Sequence, residues 1–350
     1  MASFITNKRL IIGGSAVLLA ALAVVFWFAF STWGAVNRVA IERPADSSGG
    51  AVAQPDDDPD NEEPEPVVDS EGLQVYLLVG SDSREDLEDA EGFGDFEGNR
   101  ADVVMLLLKE GSSTGLLSLP RDLLVTNLCD FTETKLSQVL EGCSAINGPT
   151  LVTLTVESLT GVGVDHFAMV DLAGFQEAVD AVGGYEICVE NPVRDQRANL
   201  NLPAGCTDAT GAQTLAWMRS RHTQELVDGR WQTVPGINDL VRNERQRAFL
   251  IEMMSRLGDI GSPQALTSIA QTVAPFVTVD SELSIVDAID LAMTMRGLES
   301  GSITELDVPV YDFITDAGAS VLLPSVPVRE IVTEFLSTAA SDSVYFGLGG

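Results

Sequence analysis

Short apolar runs alternate with helical patterns from Leu73 onward, and this alternation restricts the chain to one class of fold. The runs 73–80, 103–109 and 115–119 predict buried strands, because each is short, apolar and bounded by turn residues. Two more strands are predicted at 185–189 and 303–308. Helical patterns cover residues 150–159, 172–182, 210–218, 241–257, 263–273, 285–296 and 328–336. The alternation predicts an α/β domain with a mixed or mostly parallel sheet.

Residues 10–30, ahead of this domain, carry no charged side chain. As a helix the run spans roughly 32 Å, which is enough to cross the bilayer core. Lys8 and Arg9 precede it directly, and the chain after it soon turns acidic. The positive-inside rule therefore places residues 1–9 in the cytoplasm and the chain after residue 30 outside. A cleaved signal peptide is the alternative, although its apolar stretch is ordinarily about 7–15 residues long. Both interpretations export the body of the chain.

The formal net charge of −32 argues against a nucleic-acid partner, because duplex binding needs a broad basic face. Part of this charge is concentrated in residues 45–71, which hold ten carboxylates and no Lys or Arg. With the residues before it, this stretch predicts a disordered, proline-containing linker over 31–71. We then expect the extracytoplasmic domain over 72–337 and a flexible tail over 338–350.

The four cysteines allow three pairings. Cys129 lies close to Cys143 in sequence, and Cys188 lies close to Cys206, so local pairing is predicted. Disulfides fit an exported domain, and four free thiols are the alternative. No C-x-x-C or Cys/His spacing suggests zinc.

Arginines stand beside carboxylates or in pairs near the ends of the apolar and helical runs. The sequence reads DSR at 82–84, RAD at 100–102, PRD at 120–122 and RSR at 219–221. Planar guanidinium groups grip phosphate in bidentate fashion, which an ammonium group cannot do. An acidic protein with this distribution is expected to bind a phosphorylated ligand, and the neighbouring aspartates suggest a divalent cation shared with it.

Seven segments occur in the order typical of one family: LLVGSDSR, NRADVVMLLL, LSLPRDLLV, TKLSQ, VDHFAMVDLAGFQEAVDAVGGYEICV, MRSRH and NDLVRNERQ. Over residues 73–257, and more loosely to about 337, the chain resembles the LytR-CpsA-Psr (LCP) family. The resemblance implies a three-layer αβα sandwich with a central mixed sheet, preceded by one transmembrane helix. It also implies a membrane-anchored phosphotransferase that moves a glycopolymer, with its proximal phosphate, from polyprenyl pyrophosphate to peptidoglycan.

The same resemblance assigns roles to individual residues. It implies that Asp82 and Asp102 hold Mg²⁺, or Mn²⁺ in its place. The implied catalytic residues are Asp82, Asp102, Arg121, Asp239 and Arg242. The implied pyrophosphate-binding residues are Arg84, Arg100, Arg121, Lys135, Arg219, Arg221, Arg242 and Gln246. Structural alternatives stay open: Asp82 as a turn cap, Asp102 paired with Arg100, Asp122 simply fixing Arg121, Lys135 as a solvated surface residue, and any single arginine in a surface salt bridge.

The sequence spacing of two residue pairs predicts the local structure that each pair needs in order to act together. Arg219 and Arg221 share a face only in an extended segment, because in a helix they would diverge by about 200°. We therefore expect the preceding helix to end near Met218. On a helix beginning at residue 240, Arg242 and Gln246 share a face, whereas Asp239 could be an N-cap or a functional group.

The family is described as having an apolar tunnel for the lipid, and six residues could line it or belong to the core: Leu151, Leu154, Leu159, Phe167, Phe175 and Val179. Two other functions stay open: a non-catalytic polyprenyl-phosphate-binding regulator of envelope assembly, and a polyprenyl-pyrophosphate-sugar hydrolase.

Overall fold

A computed structural model of the chain describes residues 34–43, 72–83, 99–234, 245, 248, 249, 252, 253, 256, 262–284, 287 and 303–347. Across these residues, none of the helices is both long and apolar enough to span a bilayer. The predicted span at residues 10–30 lies outside the described residues.

The chain forms seventeen strands in its described part. In order they are β1 (Asn37–Val39), β2 (Leu73–Ser81), β3 (Ala101–Glu110), β4 (Ser113–Leu119), β5 (Leu124–Thr126), β6 (Glu133–Lys135), β7 (His166–Val170), β8 (Tyr185–Val189), β9 (Val193–Asp195), β10 (Leu200–Leu202), β11 (Gly205–Ala209), β12 (Gln224–Val227), β13 (Arg230–Thr233), β14 (Val277–Asp280), β15 (Ile303–Leu306), β16 (Val310–Ile314) and β17 (Ser320–Pro324). The helices are α1 (Gly148–Thr160), α2 (Leu172–Ala181), α3 (Gly211–Arg219), α4 (Pro263–Val273) and α5 (Val328–Gly347), with short 3-10 turns at Leu136–Glu141 and Ala274–Phe276.

A seven-stranded sheet in the order β1-β14-β7-β2-β3-β4-β15 is the centre of the fold. The pairs β1–β14, β7–β2 and β4–β15 are parallel, whereas β14–β7, β2–β3 and β3–β4 are antiparallel. The predicted mixed sheet is therefore confirmed. The smaller sheets β10-β9-β12-β13 and β11-β8 lie outside it.

Alternation along the strands gives the sheet two apolar faces. On the first face Leu77, Leu106 and Leu117 belong to one core with α1 and α5, which contribute Val156 and Phe335. On the second face Tyr76, Met105, Leu107 and Leu116 form a smaller cluster. The second face is the one that borders the cavity described below.

Local capping contacts define two of the helix starts. Asp171 accepts a hydrogen bond from the Gly174 backbone N–H at 2.7 Å and caps α2. Thr210 and Gln213 form a capping box at the start of α3. The described residues within 241–257 are helical, in agreement with the prediction there.

The structure corrects the predicted linker and tail. Within 31–71, residues Asn37–Val39 form β1 at one edge of the main sheet, and Arg38 Nη1 donates to the carbonyls of Ser281 and Leu283. The acidic composition of 45–71 does not apply to residues 34–43, so the predicted linker began too early. Residues 34–43 carry Val36, Val39 and Ile41, which pack on the two cores. At the other end, α5 continues to Gly347, where a tail from 338 was expected.

Both predicted disulfides are present. Cys129 is bonded to Cys143, and Cys188 is bonded to Cys206. The second bond joins residues that face each other across β8 and β11. The first ties the segment after β5 to the loop before α1.

Candidate functional site

A β-bulge between β2 and β3 brings Asp102 to the site. Gly80 pairs with Val103, but the next residue of β2, Ser81, pairs with Ala101, so Asp102 is the extra residue. Bulges of this kind redirect a side chain out of the ordinary alternation. Here Asp102 and Val103 both border the same cavity. A side chain at Gly80 would place its Cβ only 3.0 Å from the Val103 Cβ, which explains the glycine.

The cavity lies between the second face of the sheet and helices α2 and α3, with a volume of about 660 Å³. Its charged lining residues gather around the ends of β2, β3, β4 and α3: Asp82, Arg100, Asp102, Arg121, Asp171, Arg197, Arg219 and Arg221. Further along the strands and helices the lining is apolar, with Leu78, Met105, Ala168, Phe175, Leu215, Met218 and Phe249 among its residues. Five arginines against three aspartates make the described lining cationic in a chain of net charge −32.

Four side chains form a continuous ionic chain at the charged end. Arg121 Nη1 lies 2.6 Å from Asp102 Oδ1, and Arg121 Nε lies 3.4 Å from Asp122 Oδ2. Lys135 Nζ lies 2.7 Å from Asp122 Oδ1. Asp122 therefore fixes Arg121 from one side while Asp102 holds it from the other, and Lys135 joins the network without bordering the cavity.

Asp82 is held by the backbone on the opposite strand. Its Oδ1 accepts the Arg100 N–H at 2.7 Å, and its own N–H donates to the Arg100 carbonyl at 3.0 Å. This contact joins the end of β2 to the residue before β3 and is not the turn cap named as the alternative; Asp82 also borders the cavity, as Asp102 does. Two carboxylates next to the cavity arginines match the oxygen donors that Mg²⁺ prefers, so the chemistry of this pair fits the implied metal.

One other group of potential metal ligands occurs within the described ranges: Glu186, Cys188 and Cys206. Both sulfurs are engaged in the Cys188–Cys206 disulfide and are not available as thiolate ligands. This group therefore does not constitute a metal site.

The segment Arg219-Ser220-Arg221 has the geometry that the spacing predicts. Helix α3 ends at Arg219, and Ser220 follows with an extended backbone (φ −65°, ψ 124°). Both arginines border the cavity. The turn out of helix geometry thus directs two guanidinium groups to one space.

A buried carboxylate, Asp195, holds this segment in place. Asp195 is only 2% exposed, and its Oδ2 accepts hydrogen bonds from the Ser220 hydroxyl at 2.8 Å and from the backbone N–H groups of Arg221 and His222 at 3.2 and 2.9 Å. Burial alone would raise the pKa of Asp195, but hydrogen bonds from the His222 N–H, the Ser220 hydroxyl and other backbone groups outweigh it, so the pKa lies below its ordinary value.

Arg197 is a cavity residue that the sequence analysis missed. Its N–H donates to Asp195 Oδ1 at 3.0 Å, and its Nη1 lies 2.8 Å from His222 Nε2 at the exposed rim. It stands in the loop between β9 and β10, outside every recognised motif. No sequence signal distinguished it from a surface arginine.

A family model of the LytR_cpsA_psr family matches residues 45–333. This chain belongs to the LytR_cpsA_psr family. The motifs that suggested the family supply most of the described charged residues of the cavity; Asp171 comes from the long segment around β7 and α2, and Arg197 stands outside all seven segments.

Two relatives of this LytR_cpsA_psr chain have names that describe a role in the cell wall. LcpB of Corynebacterium glutamicum, described as a probable cell wall biosynthesis protein, is 35% identical over 248 residues, which cover 68% of this chain and 55% of the relative. TagU of Halalkalibacterium halodurans, described as a polyisoprenyl-teichoic acid–peptidoglycan teichoic acid transferase, is 27% identical over 210 residues, covering 59% and 60%. The chain spans less than two thirds of either protein.

A solved LytR-Csp2A-Psr enzyme from Actinomyces oris has the same fold. It superposes with a TM-score of 0.64 at 24% identity and covers 86% of this chain and 95% of its own. The mixed α/β architecture is therefore shared with a LytR_cpsA_psr structure.

The cavity collects most of the predicted site residues that the structure describes. Asp82, Arg100, Asp102, Arg121, Arg219 and Arg221 all border it, and Lys135 lies two ion pairs away, through Asp122 and Arg121. Arg84, Asp239, Arg242 and Gln246 lie outside the described residues. Arg245, which belongs to the last motif, stacks over the Trp217 ring at 4.0 Å, and burial lowers its pKa.

Five of the six possible tunnel residues lie outside the cavity lining. Of the six candidates only Phe175 borders the cavity, where its ring centroid lies 4.9 Å from that of Phe249. Leu151 and Phe167 are fully buried in the core on the other face of the sheet, as the core alternative expects. A sequence shows that a residue is apolar but not which face of the sheet its element covers, so it left the two alternatives open.

Proposed function

We propose that the protein is a membrane-anchored phosphotransferase that transfers a glycopolymer, with its proximal phosphate, from polyprenyl pyrophosphate to peptidoglycan. The reaction forms a phosphodiester bond and releases polyprenyl phosphate. The domain acts outside the cell on a three-layer αβα scaffold, held by a signal-anchor helix at residues 10–30. The relatives' names support the class of substrate.

One observation carries the proposal: a single cavity is cationic near the strand ends and apolar along its length. A polyprenyl-pyrophosphate donor has the same division, with a doubly charged pyrophosphate joined to a long apolar chain. Arg121, Arg219 and Arg221 offer planar forks to the phosphate oxygens. Phe175 and Phe249 border the apolar part, which suits the first isoprene units.

In the proposed step an acceptor hydroxyl oxygen of peptidoglycan attacks the phosphorus that carries the sugar. The bond from that phosphorus to the bridging oxygen breaks, and polyprenyl phosphate departs with the electron pair. The hydroxyl proton passes to a base, for which Asp239 is the candidate that the family resemblance supplies. The arginines stabilise the negative charge that develops on the phosphate oxygens.

Asp82 and Asp102 would hold Mg²⁺ at this end of the cavity. When bound, the ion supplies charge neutralisation to the pyrophosphate. The contact of Arg121 with Asp102 keeps the carboxylate oriented towards the cavity, and Asp122 prevents the guanidinium from turning away.

The test is mass analysis of the products formed by the full-length protein from a polyprenyl-pyrophosphate sugar donor, with and without peptidoglycan. Sugar phosphate attached to peptidoglycan, with release of polyprenyl phosphate only when the acceptor is present, supports the transferase. Release without acceptor would instead identify a hydrolase. Donor binding with no turnover would identify a non-catalytic binding protein.

A further inference from the structure

The strand register places the N-terminal end of β1 at the charged end of the cavity. One row of directly paired residues crosses six strands: Asn37, Thr278, Met169, Val79, Val104 and Leu119. Asp82 lies three residues after Val79 on β2, Asp102 lies two residues before Val104, and Arg121 lies two residues after Leu119. Because β1 runs antiparallel to β2, the chain that arrives from residue 36 reaches the sheet at this same end. Three strand spacings separate β1 from β2, which is about 14 Å.

A β-hairpin formed by β16 and β17 lies at the same end. β16 follows β15, which runs parallel to β4 and leaves the sheet in the same direction. The Leu322 N–H donates to the Asp122 carbonyl at 2.9 Å, and Leu322 pairs with Leu123. The hairpin is therefore fixed against the segment that carries Arg121.

The first strand of this hairpin, β16, exposes large apolar side chains on both of its faces. Tyr311, Phe313 and Ile314 are 51%, 42% and 69% exposed, whereas Val321 on the returning strand is buried. Neighbouring exposed side chains of this size mark an interaction surface. The hairpin residues 310–324 contain Asp312 and Asp316 and no Lys or Arg. Contact of this surface with a bilayer would therefore be apolar and would not depend on attraction to anionic lipid.

We infer that strand β16 of this hairpin, residues 311–314, inserts into the outer surface of the lipid bilayer at the same end of the domain as the N-terminal anchor. The inference rests on the anchor in the proposed function. Residues 31–36, which connect the predicted span to β1, can extend only about 20 Å. An end of the domain that close to the bilayer must face it. Aromatic side chains with a polar group, such as Tyr311, favour the membrane interface. The charged end of the cavity is thereby held towards the leaflet that carries the lipid donor.

The test uses the full-length chain with a fluorescent label at the hairpin. All four cysteines are in disulfides, so Ile314→Cys provides a single free thiol for an environment-sensitive dye without reduction. Ser112→Cys is the matched control, because it is exposed in the turn between β3 and β4 at the opposite end of the sheet. Each labelled protein is reconstituted into phosphatidylcholine vesicles with and without spin-labelled lipid.

We expect the spin label to reduce the fluorescence at position 314 by about half or more, at a depth of roughly 5–10 Å below the surface, and to leave position 112 unchanged. The difference should persist in high salt, because the contact is apolar. Equal quenching at the two positions, or none at position 314 in protein that floats with the vesicles, overturns the inference and leaves the anchor intact. Protein that does not float overturns the anchor, and the inference with it.

A second variant makes the same test through activity. Phe313→Ser combined with Ile314→Asp changes only exposed side chains and leaves the cavity untouched. We expect transfer from a donor embedded in vesicles to fall on the order of tenfold, while transfer from the same donor in detergent micelles stays at the wild-type rate. Equal rates for variant and wild type in vesicles contradict membrane docking by this hairpin.

Discussion

Arg121 Nη1 donates a hydrogen bond to Asp102 Oδ1 at 2.6 Å and so joins the start of β3 to the segment after β4. The bulge that turns Asp102 into the cavity and the turn that follows Leu119 meet in this contact. The guanidinium that we propose binds phosphate is thus already oriented before the ligand arrives, which lowers the entropy lost on binding.

The first prediction concerns that contact. Asp102→Ala should reduce transfer by roughly two orders of magnitude or more, because it removes a candidate metal ligand and frees Arg121. The free energy of unfolding should change by only about 1 kcal/mol, since both partners are partly exposed. Product mass analysis and thermal unfolding measure the two effects. Asp208→Ala on β11, exposed and away from the cavity, is the control; normal transfer by folded Asp102→Ala protein contradicts the metal assignment.

The paired arginines give the second prediction. Arg219→Lys and Arg221→Lys keep the charge but lose the fork, so each should weaken donor binding or turnover by about one to two orders of magnitude. The double variant should lose less than the product of the two, because the groups act as a unit. Calorimetric titration with the donor gives the affinities.

Arg194→Lys is the control for this pair. Arg194 lies on β9, where its guanidinium stacks over the Trp231 ring at 4.1 Å and its Nε donates to Gln224. It does not border the cavity, so its replacement should leave donor affinity unchanged. Loss of affinity in Arg194→Lys with full affinity in the other two variants would place the phosphate site elsewhere.

The third prediction concerns pH and Asp195. Its pKa is lower in the folded protein than the ordinary value near 3.9, so it stabilises the fold above about pH 4, and this stability is lost as pH falls through the lower folded pKa. Asp195→Asn should cost about 2 kcal/mol near neutral pH, because an amide cannot accept all of these hydrogen bonds. The two proteins should converge in stability in acid.

Denaturant titrations at a series of pH values measure this difference. Donor affinity should fall as well, since the Arg221 backbone loses its support, and Asp195→Glu should restore part of it. A stability gap between wild type and Asp195→Asn that stays constant down to pH 2 would assign the stabilising carboxylate to another residue.

The disulfides supply the fourth prediction. Replacing both Cys188 and Cys206 by Ser should lower the free energy of unfolding by about 3 kcal/mol, because the bond closes a loop with a sequence separation of 18. Replacing Cys129 and Cys143, which are 14 apart, should cost a similar amount. Chemical denaturation under non-reducing conditions measures both; an unchanged midpoint in either double variant counts against the bond in question.

Local chemistry explains why much of the fold was predictable. The strands from Leu73 to Leu119 and the end of α3 all depend on neighbouring residues. The charged set of the cavity was predictable for another reason, since its motifs occur in the order of a known family. The bulge itself was not predictable, because it depends on which residues of β2 and β3 face each other.

Non-local relations explain what was missed. β1 has only three residues, and its partner Thr278 is more than two hundred positions away, so no period or neighbour indicated a strand. Arg197 reaches the cavity because the buried Asp195 holds both its loop and the arginine segment. The sequence could not separate tunnel residues from core residues, because apolar side chains on the two faces of the sheet have the same composition.

The pairing of β1 with β14 also fixes an order of events during biogenesis. Asn37–Val39 is synthesised early, yet it has no partner until Val277–Asp280 emerges, long after β2, β3, β4 and β7. Contacts of such long sequence separation form slowly and leave an unpaired strand edge in the meantime. Asn37–Val39 is therefore among the last strands to dock, so that a domain anchored at residues 10–30, as proposed, would assume its final orientation to the membrane only once nearly all of it has folded.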